Sequence, residues 1–263
     1  DAIFDAISHS ELYQRYPSII EDLLRDAAEE QGVQEAILRI LEVLVFLRKK
    51  IPGSSSVYHG LDTFLNSNDL LMQLCSIQII IQNADTKHDF DLLTTEGGIL
   101  ESLIDRLPEA AGFCSIEEPI YCKSLNLCSN LLQVKDTDWC RFTTKLVAGI
   151  RVCLEECNSE AQKEAIVAVG AMAGNDSLKG HFNNLKKSYF ELFAQPCAAI
   201  QIACLSSATI IIQSASNEIS SEVVKIGLGS IGNKGAYANL MHLCLSSIED
   251  LKKAAYACLQ ILS

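Results

Sequence analysis

The sequence predicts an all-α fold, a right-handed solenoid of about six repeated helical units. Three observations lead to this prediction. Long stretches place apolar residues every three to four positions, as one buried face of a helix requires. A column of small and apolar residues recurs at a nearly regular spacing along the chain. Patterns that would indicate β-strands are scarce.

Six stretches have this helical periodicity, and they cover residues 34–47, 68–81, 119–133, 159–173, 196–214 and 249–262. Pro119 and Pro196 stand where two of these helices are predicted to begin, a position at which the missing N–H is not needed. Asn68, Ser159 and Ser247 are predicted to cap three others, because their side-chain oxygens can accept from the first backbone amides.

The repeat becomes visible when the six helices are aligned on one mostly small residue: Ala36, Leu74, Ser124, Ala165, Ala203 and Ala254. The next position holds Ile37, Cys75, Leu125, Ile166, Cys204 and Ala255. The steps of 38, 50, 41, 38 and 51 residues average about 44, which is typical of armadillo and HEAT repeats. A small residue at one fixed point per unit suits close packing of neighbouring helices. The alternative is that any alanine-rich helical chain shows such a column after free alignment.

The turns between helices indicate one continuous array. Residues 92–100 predict a helix that ends at a glycine, followed by a new helix with Ile99, Leu103 and Ile104 facing inward. No linker is long or polar enough to split the chain, so residues 1–263 are predicted to form a single solenoid domain. The chain begins with Asp and its last helical pattern runs into Ser263, which leads us to expect a fragment of a longer protein.

Composition narrows the class of partner. Hydrophobic residues make up 49% of the chain, so a sizeable core is expected. The formal net charge is −12, which repels a nucleic-acid backbone and favours a basic protein surface as partner. No apolar run is long enough for a bilayer crossing. The 11 cysteines are spread through predicted helices, which favours a reducing compartment, cytosolic or nuclear.

One motif suggests nucleotide chemistry. Residues 227–232 read Gly-Leu-Gly-Ser-Ile-Gly, the spacing with which a dinucleotide fold brings its backbone close to a pyrophosphate, and Glu249 and Asp250 lie near the expected acidic position. This motif requires a parallel sheet, which the chain does not predict. The favoured interpretation is a helix whose glycines permit close packing, with an NAD-dependent oxidoreductase as the alternative.

Other chemical motifs are weak or missing. Residues 85–96 resemble a calcium loop, but Lys87 occupies a ligand position and Phe90 the position of the required glycine, so a polar helix start is favoured. Cys153 and Cys157 lack the spacing of a zinc site and have no nearby histidine. Motifs of serine hydrolases, P-loop proteins and zinc proteases do not occur. The sequence therefore predicts no enzymatic activity, no cofactor, no metal and no small-molecule substrate.

The candidate site is a polar ridge just before the small-residue column. Its members are Gln34, Glu35, Gln73, Lys123, Lys163, Glu164, Gln201, Lys252 and Lys253, with Tyr256 as a possible contact anchor on the same side. In a solenoid such a ridge borders the surface that holds an extended partner. A solvated face without a partner, and a partly buried Tyr256, are equally compatible with the pattern.

The order of segments resembles the family of the proteasome regulatory particle's non-ATPase subunit 5, a dedicated chaperone of base assembly. The similarity extends over nearly the whole chain. It is carried by Cys75 and by residues 95–99 (Thr-Glu-Gly-Gly-Ile), 130–132, 169–180, 200–205 and 254–259. Family members are about twice as long, so this chain would correspond to roughly their second half.

The resemblance implies a HEAT/armadillo-like solenoid without enzymatic activity. Such a chaperone binds the C-terminal domain of a proteasome ATPase subunit, guides assembly of the ATPase ring and leaves before the particle is complete. The family has no catalytic motif to transfer. A second binding function, that of an armadillo-type nucleotide-exchange factor of Hsp70, uses the same fold with a different partner.

Overall fold

The structure is a computed structural model that describes residues 58, 61–62, 64–95, 98–108, 116–232 and 234–262. Within these residues it contains eleven α-helices and no strand. The helices are α1 (Leu70–Asn83), α2 (Lys87–Thr95), α3 (Ile99–Asp105), α4 (Glu118–Leu132), α5 (Thr143–Glu156), α6 (Ser159–Gly174), α7 (Phe182–Phe193), α8 (Ala198–Ser214), α9 (Asn217–Glu222), α10 (Ala236–Leu243) and α11 (Glu249–Leu262). Helix α9 continues as a π-helix over Val223–Leu228. The helix predicted over residues 34–47, with Ala36 and Ile37, lies outside the described residues.

Two predicted caps are wrong by one residue. Asp69, not Asn68, caps α1, because its carboxylate accepts from the backbone N–H groups of Leu71 and Met72. Asn158, not Ser159, caps α6 in the same way. Both true caps have extended backbone angles, which a capping residue needs and a residue inside the helix cannot have.

Three other predicted helix starts can be compared with the structure. Pro119 lies in the first turn of α4, as predicted. Pro196 does not begin α8, because Cys197 is its N-cap and the helix starts at Ala198. Ser247 lies two residues before the first residue of α11 and is therefore not at the N-cap position. The glycine boundary after α2 is confirmed, since Gly98 has a φ of +65° and the following Ile99 is buried.

The described contacts divide the chain into two compact units, Asp1–Ser102 and Leu103–Ser263. The single domain predicted for residues 1–263 stays a prediction.

In the first unit, Asp89 ties the start of α2 to the preceding turn. Its carboxylate accepts from the backbone N–H groups of Asp85 and Thr86, from the Thr86 hydroxyl and from the Tyr58 hydroxyl. The Thr86 hydroxyl in turn accepts from the Asp89 N–H, which makes a reciprocal cap. The polar helix start is thus confirmed over the calcium loop.

Asp89→Asn is expected to lower the free energy of unfolding by about 1.5 to 3 kcal/mol at pH 7. Burial raises the pKa of this carboxyl, but the hydrogen bonds from Thr86, Tyr58 and Asp85 outweigh it, and the net pKa is lowered. The stabilisation by the Asp89 carboxylate is therefore complete above the pKa of the unfolded state, about 4. It is lost as the pH falls through the lower pKa of the folded state. Urea denaturation at several pH values should show the difference from wild type shrinking in acid. Asp91→Asn, at an exposed position of the same helix, is the matched control.

In the second unit the helices form two layers. Helices α4, α6, α8 and α11 pack side by side in chain order and form layer A. Helices α5, α7, α9 with its π-helix, and α10 form layer B. The chain alternates between the layers, and α6 packs against α4, α5, α7 and α8.

The predicted repeat column runs along layer A. Ser124, Ala165 and Ala203 are buried and Ala254 is half-buried, while the next position is buried in all four helices, at Leu125, Ile166, Cys204 and Ala255. In the first unit Cys75 is buried and Leu74 half-buried. Within the second unit, the sequence alignment therefore identified four helices of one layer.

Neighbouring layer A helices approach closely. A Cβ on Gly170 of α6 would lie 2.6 Å from the Ser207 Oγ of α8, and one on Gly174 would lie 2.3 Å from the Ser214 Oγ. The absence of side chains at these two glycines lets the helix backbones come together.

Polar bonds join α4 to both ends of α6. The buried Glu118 carboxylate accepts from the backbone N–H of Asn158, at 2.8 Å, and from its side-chain amide. At the other end, the Asn175 side chain donates to the Leu132 carbonyl at 3.1 Å. The two helices are therefore held in register along their length.

Candidate functional site

The solvent side of layer A presents side chains from consecutive helices, and we call this surface the layer A face. It is formed by Asn126 and Asn130 of α4 and Gln133 directly after it, Lys163 and Val167 of α6, Ser206, Thr209 and Gln213 of α8, and Lys253, Tyr256 and Gln260 of α11. These positions repeat every three to four residues, so each helix contributes one stripe. Amides and hydroxyls predominate on α4 and α8.

Two members of the predicted ridge have structural roles. The Gln201 amide donates to the Gln195 carbonyl at 3.1 Å, and the Gln73 amide donates to the Ser67 carbonyl in the first unit. Each glutamine is the fourth residue of its helix and reaches back to the preceding turn. Gln162, which the sequence did not single out, holds the fourth position of α6 and donates to the Leu154 carbonyl in the last turn of α5. These glutamines fasten each helix to the turn or helix that precedes it.

The charged members of the ridge are mostly engaged within the layer. Lys163 pairs with Glu160 at 2.6 Å, and Glu164 accepts from the Asn126 amide of α4 at 3.0 Å. Lys252 lies 3.8 Å from Glu249. Lys123 is half-buried, whereas Lys253 is exposed. The structure thus brings Glu164 into contact with α4 and leaves the α11 end of the ridge open to solvent.

Tyr256 is 56% exposed, so its ring is accessible to solvent. Gln34 and Glu35 lie outside the described residues.

A cavity of about 560 Å³ opens at the C-terminal ends of three layer A helices. The last residue of each helix lines it: Leu132 of α4, Gly174 of α6 and Ser214 of α8. The turns that follow α4 and α6 complete the wall with residues 133–137 and 175–177. Its size is within the range of ligand pockets. Sequence reasoning missed this cavity, because its lining comes from turns that are far apart in the chain.

The glycine motif is not a nucleotide site. A nucleotide site would require a β-strand just before the first glycine of the motif. Residues 223–228 form the π-helix instead. A Cβ on Gly227 would meet the Phe193 ring at 3.2 Å, and one on Gly232 would meet the Asn239 Oδ1 at 2.7 Å. The Asn239 amide donates to the carbonyls of Leu228 and Gly232 and so closes the end of this helix. The packing interpretation is confirmed for these two glycines, and the dinucleotide alternative is wrong.

The thiols of the buried Cys128 and the half-buried Cys122 are poor nucleophiles. Burial raises the pKa of Cys128 to about 12, and burial together with Glu164, Glu118 and Glu160 raises the pKa of Cys122 to about 11. Both thiols therefore stay protonated at neutral pH, whereas nucleophilic attack requires the thiolate.

Among the residues that the structure describes, no group of three or more His, Cys, Asp or Glu side chains is arranged to hold a metal ion. None of the helices described there has the length and apolar character of a bilayer-crossing segment.

No protein-family model matches the sequence, and no curated protein matches it. Solved structures do. An engineered protein superposes with a TM-score of 0.63 at 15% identity, covering 93% of this chain and 98% of its own. A designed armadillo repeat protein in complex with the peptide (KR)4 has a TM-score of 0.61 at 17% identity, covering 97% of this chain and 100% of its own. Computationally designed armadillo repeat proteins for modular peptide recognition reach 0.57 at 16% identity, covering 95% and 99%.

These similarities agree with the layered helices. The chain has an all-α solenoid fold built from armadillo/HEAT-like units, as the sequence predicts.

Proposed function

We propose that the chain is a non-enzymatic scaffold that binds a protein partner along the layer A face. The observation that carries this proposal is the continuous row of solvent-facing stripes on α4, α6, α8 and α11. Two structural neighbours that bind or were designed to recognise peptides support it through their shared architecture.

The chemistry of the face suits an extended polypeptide. Asn126 and Asn130 lie on one stripe of α4, and Gln133 directly follows the helix. A side-chain amide both donates and accepts, as a peptide backbone does, although the amides of Asn126 and Gln133 already donate to Glu164 and to the Ser129 carbonyl. Ser206 and Gln213 continue this character on α8. A partner segment lying across the helices would meet such groups on α4 and α8. Tyr256 adds an exposed aromatic ring of the kind that anchors interfaces.

We further propose that the partner is the C-terminal domain of a proteasome ATPase subunit and that the chain acts as an assembly chaperone. The resemblance of residues 95–99, 169–180 and 254–259 to the non-ATPase subunit 5 family supports this choice. Nine of the described cysteines are free thiols, which is compatible with a reducing, cytosolic or nuclear location: Cys122, Cys128, Cys140, Cys153, Cys157, Cys197, Cys204, Cys244 and Cys258.

Affinity capture from lysate, followed by quantitative mass spectrometry, tests this function. We expect the wild-type chain to enrich proteasome ATPase subunits. Ser206→Arg, in the middle of the layer A face, should reduce their recovery at least about tenfold, because a long charged side chain blocks the path of the partner. Ser221→Arg on α9 is the matched control at an exposed layer B position and should leave recovery unchanged.

Two results would contradict the specific partner. Enrichment of Hsp70 in place of ATPase subunits would instead support a nucleotide-exchange factor. Equal loss of ATPase subunits in both serine variants would show that the layer A face is not the binding surface.

A further inference from the structure

We propose that the cavity at the C-terminal ends of α4, α6 and α8 receives a cationic side chain, Lys or Arg, of the bound protein partner. This inference rests on the proposed function, since it names a feature of the segment that the layer A face would bind.

The three helix ends give the cavity a negative potential. Leu132, Gly174 and Ser214 are the last residues of three layer A helices, and all three line the cavity. The last carbonyls of a helix have no partner in its regular ladder, although the Leu132 carbonyl of α4 accepts from the Asn175 side chain. The helix dipole places about half a negative charge at each end. Three such ends at one cavity favour a positive group and oppose an anion.

Two carboxylates add to this potential. Asp136 and Asp176 lie in the turns that form the wall, and both are exposed. Asp136 has a φ of +59°, so the turn after α4 is tightly bent at this residue. The hydrogen bond from Lys179 and its charge keep the pKa of Asp176 below its usual range, so this carboxylate is ionised at neutral pH.

Two lysines oppose the potential. Lys135 also lines the cavity, and Lys179 pairs with Asp176 at 2.6 Å. Both are exposed, and exposed ion pairs are weak, so a partner's cation can replace Lys179 at Asp176. With Lys179 counted, two acidic and two basic side chains balance, so the negative helix ends decide in favour of a cation.

The cavity also has room for a long side chain. Ala171, Gly174 and Ser214, which line the cavity, have small side chains or none. An aliphatic stem fits along these small residues while its charged end reaches the carbonyls and carboxylates.

Fluorescence anisotropy with labelled (KR)4, the peptide bound by one structural neighbour, tests the proposal directly. We expect saturable binding that weakens with added salt and is about fivefold to tenfold weaker in the double variant D136N/D176N. Lys135→Ala should strengthen binding, because it removes a competing cation. The double variant E191Q/E218Q makes the same charge change at exposed layer B positions and should bind as wild type does. Thermal unfolding checks that all variants are folded.

Several results would overturn the cavity assignment. They are the absence of (KR)4 binding, binding that D136N/D176N leaves unchanged, and equal binding of a peptide of alternating Glu and Asp.

Affinity capture with D136N/D176N separates this inference from the proposed function. Capture of ATPase subunits that the double variant leaves unchanged overturns the cavity assignment while supporting the function. Binding of (KR)4 that depends on both carboxylates, without any captured ATPase subunit, supports the cavity assignment and overturns the proposed partner.

Discussion

Ala165→Arg is expected to lower the free energy of unfolding by at least about 3 kcal/mol. Ala165 is fully buried in α6, at the repeat column of layer A. Helix α6 has neighbours on both sides in its own layer and in layer B, so the guanidinium has no short route to solvent. The substitution therefore forces neighbouring helices apart or buries an unpaired charge. Chemical denaturation followed by circular dichroism measures the effect.

Ala257→Arg is the matched control for this substitution. Ala257 occupies α11, also in layer A, but its side chain is exposed. Its replacement should change stability by less than about 0.5 kcal/mol, as at ordinary surface sites. A similarly small effect of Ala165→Arg would place Ala165 outside the helix interface and contradict the repeat alignment.

Gly170→Val is expected to be the second strongly destabilising change, at about 3 kcal/mol or more. A Cβ at Gly170 would already lie 2.6 Å from the Ser207 Oγ and 3.0 Å from the Ser207 Cα of α8. The hydroxyl has little freedom to move away, because it is buried and bonded to the Tyr189 hydroxyl at 2.9 Å. Relief requires separation of α6 from α8, which opens the core. The same denaturation experiment measures this loss.

Comparison of two alanine variants tests whether the close approach is the cause. Gly170→Ala gains helix propensity of about 1 kcal/mol but meets Ser207, so we expect a net loss of stability. Gly180→Ala has no atom within 4 Å of the new Cβ and should be neutral or slightly stabilising. If Gly170→Ala also stabilised the protein, helix contact at this glycine would not limit the packing.

The architecture was largely predictable because stacking imposes a periodic pattern. A helix in layer A buries one stripe against the next helix and one against layer B, so Leu125, Ile166 and Cys204 had to recur in equivalent positions. The boundaries were less predictable. Asp69 and Asn68 are both good capping residues, and only the backbone angles of the turn decide between them.

The candidate site was harder to predict from the sequence than the fold. Gln73 and Gln201 stand on the predicted ridge, but whether an amide faces solvent or reaches back depends on the conformation of the preceding turn. The cavity depends on the alignment of three helix ends, so Asp136 and Asp176 become neighbours of one space only after the layer has formed. The glycine motif at residues 227–232 is the opposite case, a local pattern that suggested a site where none exists. Its spacing does not reveal whether the β-strand that a nucleotide site requires precedes it.

The position of α6 determines how local unfolding of one helix affects the rest of the second unit. In a stacked array, cooperativity passes between nearest neighbours, so each helix depends on those beside it. Helix α6 supports α4 on one side and α8 on the other, whereas α11 is coupled to its own layer through α8. Local melting of α11 need not disrupt α4, but loss of α6 removes the helix that packs extensively against both α4 and α8.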